Sequence, residues 1–101
     1  MYILNTTFAV HKSVRSEFLT WIRKTYIPSA ESTGLLTKPQ LTRVIGSEDP
    51  DSSSYALQFT SPKLREAVHW HDETAALLRD DMAVRFGKKV LFFTTYLEVI
   101  E

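Results

Sequence analysis

Val90-Leu91-Phe92-Phe93-Thr94-Thr95-Tyr96-Leu97-Glu98-Val99-Ile100, near the end of a 101-residue chain, reads as a strand that is oily on both sides. Side chains alternate across a strand. Val90, Phe92, Tyr96 and Ile100 therefore share one side, and Leu91, Phe93, Leu97 and Val99 share the other. An antiparallel strand with one wet face should alternate apolar with polar residues, and this strand, assigned to 89–100, does not. Burying one Phe or Leu contributes about 1.5–3 kcal/mol. Three or four left in water would forfeit much of a stability of only ~5–15 kcal/mol. The chain's own helices can cover one side. For the other we expect a second copy, sheet against sheet, through a two-fold interface built on Leu91, Phe93, Leu97 and Val99. The competing reading is a loop, residues 27–38, folded over the sheet.

Working backward, Ser61-Pro62 marks a helix start, with a capping serine and proline at the first helical position. The helix runs to about Arg85 and stops at Gly87. Leu64, Val68, His71, Ala75, Leu78, Met82 and Phe86 form its apolar stripe, with Trp70 and Leu77 off it, at the surface or against a partner subunit. Residues 55–60 and 39–46 alternate as strands. Between them Gly46 to Ser53 is turn chemistry, which makes the pair an antiparallel hairpin. Residues 2–10 form the first strand. A first helix follows, capped by Ser13, with Val14, Phe18, Trp21, Ile22 and Thr25 inward. It ends or kinks near Tyr26 because Pro28 disfavours helical geometry at Ile27. The order is β-α-β-β-α-β, an α+β ferredoxin-like sandwich over residues 1–101 as one domain.

Composition bounds the function classes. Hydrophobic residues make up 44% of the chain and charged residues 24%, in the normal globular range, so long disorder is not expected. Twelve basic residues balance twelve acidic ones, leaving no net field to draw in nucleic acid or an anionic membrane. The chain has no cysteine, which excludes disulfide and thiolate chemistry and favours a reducing compartment. Met1 to Leu4 is apolar but lacks a basic leader, and no apolar run approaches the ~20 residues a membrane helix needs. The expected location is the cytoplasm.

The residues Tyr2 with Asn5-Thr6-Thr7-Phe8, Trp21 with Ile27-Pro28, Thr33-Gly34-Leu35, Leu41 and Arg43, Gln58-Phe59-Thr60-Ser61, Arg85-Phe86-Gly87-Lys88, and Thr95 with Leu97-Glu98-Val99 run the length of the chain. In order and spacing this pattern resembles the dimeric α/β-barrel superfamily. Within it, the likeness is nearest to a bacterial family described only as a domain of unknown function. The resemblance implies paired ferredoxin-like sheets forming a barrel. It implies no activity, because the wider superfamily spans cofactor-independent monooxygenases, haem-degrading enzymes and small isomerases. The family pattern often carries His-Ile-Pro at the end of the first helix. Here Tyr26 stands in the histidine's place, so a role for that histidine does not transfer.

Candidate chemistry is sparse. His69 and His71 point about 200° apart on a helix and cannot easily share one metal ion, so no metal site is expected. His71, inside the stripe, is either a core histidine bonded to its surroundings or a polar group at a cavity wall, where imidazole can act as acid or base near pH 7. Trp21 and Tyr26 read as core aromatics or as walls of a pocket near the helix end. Arg43 on its strand reads as exposed on an edge, or as facing inward toward an anion. Asp49-Pro50-Asp51 lacks the glycine and glutamate of a calcium loop.

Two readings stand close together. In one, a pocket lined by Trp21, Tyr26, Arg43, His71 and Tyr96 binds a small hydrophobic or aromatic metabolite, with no cofactor and with a monooxygenase-like enzyme as a lesser variant. In the other, the chain is a non-enzymatic dimer module with a solidly packed interior. RNA binding is disfavoured, because Ser54-Tyr55-Ala56-Leu57-Gln58-Phe59 has aromatics but neither the glycine nor the basic residues of an RNA-recognition strand.

Overall fold

The computed structural model describes residues 1–46 and 49–101. Four strands form one antiparallel sheet: β1 (Tyr2–His11), β2 (Thr37–Arg43), β3 (Ser52–Ser61) and β4 (Val90–Glu98). Their spatial order is β2-β3-β1-β4. β1 is central, pairing Leu4 with Phe59 on one flank and with Tyr96 on the other. Two helical segments cross over on the same face, which gives the expected α+β ferredoxin-like arrangement. Ser47 and Glu48 of the expected hairpin tip lie outside the described residues. No helix among the described residues is long and apolar enough to cross a membrane.

The two edges differ. At β2 the pairing slips between Thr37 and Gln40. Lys38 takes a positive φ of 52° beside Pro39, which has no N–H to offer. That edge is blunted against further strands. β4 carries no such break, and its nine residues pair continuously with β1.

Alternation places Leu4, Thr6, Phe8 and Val10 of β1 and Tyr55, Leu57, Phe59 and Ser61 of β3 under the helices, all buried. Aromatic rings knit the layers. Phe18 lies 5.1 Å from Phe8 and 5.9 Å from Phe86, and Trp21 lies 5.6 Å from Tyr26. Edge-to-face pairs of this kind add about 0.5–1.5 kcal/mol each beyond area burial.

Both helical segments contain a widened turn that the sequence does not announce. The first runs from α1 (Arg15–Trp21) through a π turn (Ile22–Tyr26) into α2 (Ile27–Ser32). The Ile27 N–H reaches back to the Ile22 carbonyl, and Ile27 keeps helical angles of −61° and −49°. Of the two outcomes expected at Pro28, an end or a distortion, the chain takes the second. The wider turn shifts the carbonyls that the proline ring would strike and absorbs its missing N–H. The second segment runs from α3 (Leu64–His69) through a π turn (Trp70–Thr74) into α4 (Ala75–Phe86), with the Ala75 N–H bonded to the Trp70 carbonyl.

One added residue rephases everything before it. The expected stripe holds from Ala75 to Phe86. Upstream, the inward positions are Ala67 and Trp70, not Leu64, Val68 and His71. Trp70 is thus corrected from a surface or interface residue to a wholly buried one, 0% exposed, packed between Tyr26 and Phe59. Tyr26 is likewise buried five residues after Trp21, across the first π turn.

Two caps also differ. The His11 Nδ1, not Ser13, accepts from a first-turn N–H, that of Ser13 at 3.1 Å. Ser61 ends β3 and bonds locally to Lys63, so the second helix starts later, at Leu64. The indole placement gives a direct test. Trp70→Ala should cost about 3–5 kcal/mol in urea unfolding, whereas a surface tryptophan would cost within about 0.5 kcal/mol.

Candidate functional site

On the helix-facing side, Thr6 interrupts the apolar run of β1 between Leu4 and Phe8, and Thr94 interrupts that of β4 between Phe92 and Tyr96, directly opposite Thr6 in the register. Their hydroxyls lie 3.3 Å apart. The second π turn swings His71 off the core stripe and over this pair, with Nε2 3.1 Å from the Thr94 hydroxyl. Its Nδ1 lies 3.2 Å from an Asp72 carboxylate oxygen. Nδ1–H donating to Asp72 leaves Nε2 to accept from Thr94, and Thr94 in turn accepts from Thr6. The first π turn delivers Tyr26 to the far end of the line, where its phenol faces the Thr6 hydroxyl. A hydrogen-bonded line thus runs from Thr6 through Thr94 to a largely buried imidazole, with the Tyr26 phenol beside its inner end. The two π turns supply the phenol and the imidazole.

Phe8, Leu78, Met82 and Phe92 close the apolar end of the same cavity, and Arg79 joins the polar end. The interior space is about 10 Å³, roughly room for one water. Outside it, β4 forms a shelf. Phe92 is 40% exposed and Tyr96 37%, with the Tyr96 ring 6.1 Å edge-on from His71.

Burial governs the phenols. Desolvation pushes the Tyr26 hydroxyl from 10.0 up to about 12, against smaller lowering effects of Thr6 and Arg79. Tyr96 is raised by burial and by the Asp72 charge, against the lowering effect of Arg79.

The expected site residues divide. Tyr26, His71 and Tyr96 come together. Trp21 touches the Tyr26 ring but turns its indole N–H away, donating to Asp81 at 2.8 Å, and lines a separate open groove with Lys24 and Arg85. That bond holds the Asp81 carboxyl below its usual range. Of the two readings of Arg43, the exposed edge position holds, which takes it out of the expected pocket. It lies exposed on β2, the edge opposite β4, and lines the hairpin end instead. Thr6, Thr94, Arg79 and Phe92 were not anticipated. The available signal was a polar residue interrupting an inward apolar series at Thr6 and again at Thr94. On the other face of β4, Leu91, Phe93 and Leu97 meet no helix, and Val99 follows the strand's end with its N–H bonded to the Met1 carbonyl at 2.9 Å.

A family model described as a domain of unknown function (DUF4286) matches residues 1–100. No curated protein matches the chain. Solved structures share its architecture. A candidate antibiotic biosynthesis monooxygenase from Deinococcus radiodurans superposes with a TM-score of 0.67 at 12% identity, covering 100% of this chain and 94% of that one. A dimeric ferredoxin-like protein from an uncultured marine organism gives 0.66 at 16% identity, with 100% and 96% covered. An ethyl tert-butyl ether D (EthD) family protein from Bacillus halodurans gives 0.64 at 14%, with 99% and 100% covered. At such identities the likeness is one of fold.

The phenol at the buried end of the line can be titrated. Below pH 10 Tyr26 is neutral folded or unfolded. Between about 10 and 12 only the unfolded chain ionises it. Stability should therefore fall by about 2–3 kcal/mol as pH rises through that window. In a spectrophotometric phenolate titration, one of the four tyrosines should ionise last, and Tyr26→Phe should remove that step.

Proposed function

We propose that this chain, which belongs to the DUF4286 family of domains of unknown function, acts as a cytoplasmic homodimer in which each single-domain copy binds a small aromatic metabolite at its β4 edge. One observation carries the reading: β4 is uncovered on both sides. On the face without helices, Leu91 is 63% exposed, Phe93 62% and Leu97 42%. They flank Ile3 and Ala9 of β1, with Asn5, Thr7 and Gln58 toward the middle of the sheet. Burying the three large side chains against a second copy contributes about 1.5–3 kcal/mol each. A two-fold axis lets the same patch serve both partners. The dimeric ferredoxin-like neighbour supports that pairing.

On the helix-bearing face the uncovered rings are Phe92 and Tyr96, beside a polar head of His71 and Thr94. An apolar shelf with a few convergent polar groups suits a planar ligand carrying one polar end. The interior holds about one water, so the ligand's rings must rest on the shelf and only its polar end can approach Thr94. A second reading, a dimer module without ligand, draws its support from that same tight interior. A monooxygenase role, named for one structural neighbour, rests on shared fold alone.

Phe93→Asp places a charge in the proposed interface and leaves the helix-side core intact. Light scattering at micromolar concentration should give twice the 11.6 kDa chain mass for the parent protein and one chain mass for the variant. A parent protein that runs as a monomer contradicts the reading. For the ligand site, the neutral probe 2-naphthamide should bind with a Kd below about 1 mM, near −4 kcal/mol, and Phe92→Ala should abolish that binding. No binding to the parent protein would favour the ligand-free module.

A further inference from the structure

Beside the shelf sits a cation without a direct ion-pair partner. Arg79 on α4 donates Nη1 to the backbone carbonyl of His71 at 2.7 Å, docking on the second π turn. That is its one assigned bond among the described residues, where no carboxylate lies within ion-pairing distance of it. Asp72, the acidic residue of this cluster, accepts from the neutral His71 ring and keeps its charge, but lies beyond ion-pairing distance of Arg79. A guanidinium carries five N–H donors in a planar fork, so one carbonyl leaves most of them free. Arg79 is partly buried and lines the polar end of the cavity. Holding an unpaired charge there costs free energy that an anion would offset. A planar carboxylate matches the fork in shape as well as in sign.

The available space narrows the ligand. With interior room of about 10 Å³, a ring system cannot enter, whereas a carboxylate at the cavity mouth needs only to approach. We propose that the β4 recess selects planar aromatic acids, the carboxylate pairing with Arg79 and the ring lying on Phe92 and Tyr96. This rests on the aromatic-ligand reading above and adds charge selection to it.

Two probes of one shape separate the questions. Isothermal titration of the full chain with 2-naphthoate and with 2-naphthamide compares an anion with its neutral counterpart. The acid should bind at least tenfold tighter than the amide. Arg79→Gln should bring the two within twofold, and Arg79→Lys should restore part of the difference. Equal binding of acid and amide to the parent protein, or a preference that survives Arg79→Gln, overturns charge selection. If both then bind and both are weakened by Phe92→Ala, the aromatic site stands without it. If neither binds at millimolar concentration, both readings fall. The comparison on the parent protein needs no substitution, so a poorly folded variant does not hide the answer.

Discussion

A sheet has two faces and two edges, and this chain supplies helices for only one face. The constraint falls hardest on β4. It is an edge strand, held by β1 alone, and it carries large apolar side chains in both directions. The opposite edge is closed by the irregular register around Lys38 and Pro39. The unmet demand for burial is thus concentrated on one strand. The proposed second copy would answer it on the open face, and a recess remains on the helix-bearing face. The proposed assembly and the proposed binding both follow from the same placement.

What makes the recess more than an uncovered edge is the pair of π turns. Each inserts one residue into a helix directly above the sheet. In the first, the insertion carries the chain through Pro28 and drives Tyr26 inward. In the second, it buries Trp70 and lifts His71 outward over Thr94. The Tyr26 and Trp70 rings meet at 6.0 Å, so the two irregular turns pack against each other. An ordinary α-helix at either place would put a different residue over the Thr6–Thr94 pair. Such insertions occur often at functional sites. Here the geometric consequence is visible in the hydrogen-bonded line from Thr6 through Thr94 to the His71 imidazole, with Tyr26 lining the same cavity.

The sheet was legible because a strand's period of two is short and robust. The alternation of Leu4, Phe8 and Val10 and the doubled oiliness of β4 both survive in the structure. The helices were legible only in part. Extrapolating a 3.6-residue period backward from Phe86 stays in phase as far as Ala75 and then misassigns Trp70 and His71 to each other's sides. No residue type marks a π turn, so the sequence carries no sign of the shift in phase. Arg43 is exposed on an edge strand, one of its two readings, but its distance from the recess was not legible: strand order is not written in strand composition, and β2 lies at the far edge from β4. Tyr26 and His71 line one cavity, and Tyr96 lies beside His71 outside it. Arg79 and the two threonines, which give the recess its chemistry, only make sense once the sheet register sets Thr6 opposite Thr94.

The central claim is that the open side of β4 is dry in solution. Hydroxyl-radical footprinting at micromolar concentration measures it side chain by side chain, with an internal reference. Leu77 and Val84 on the outer face of α4 are 76% and 86% exposed in the single chain, comparable to Leu91 and Phe93. Once corrected for the intrinsic reactivity of each residue type, Leu91, Phe93 and Leu97 should be strongly protected while Leu77 and Val84 react freely. Labelling of all five at similar corrected rates would show β4 standing bare in water and would contradict the account.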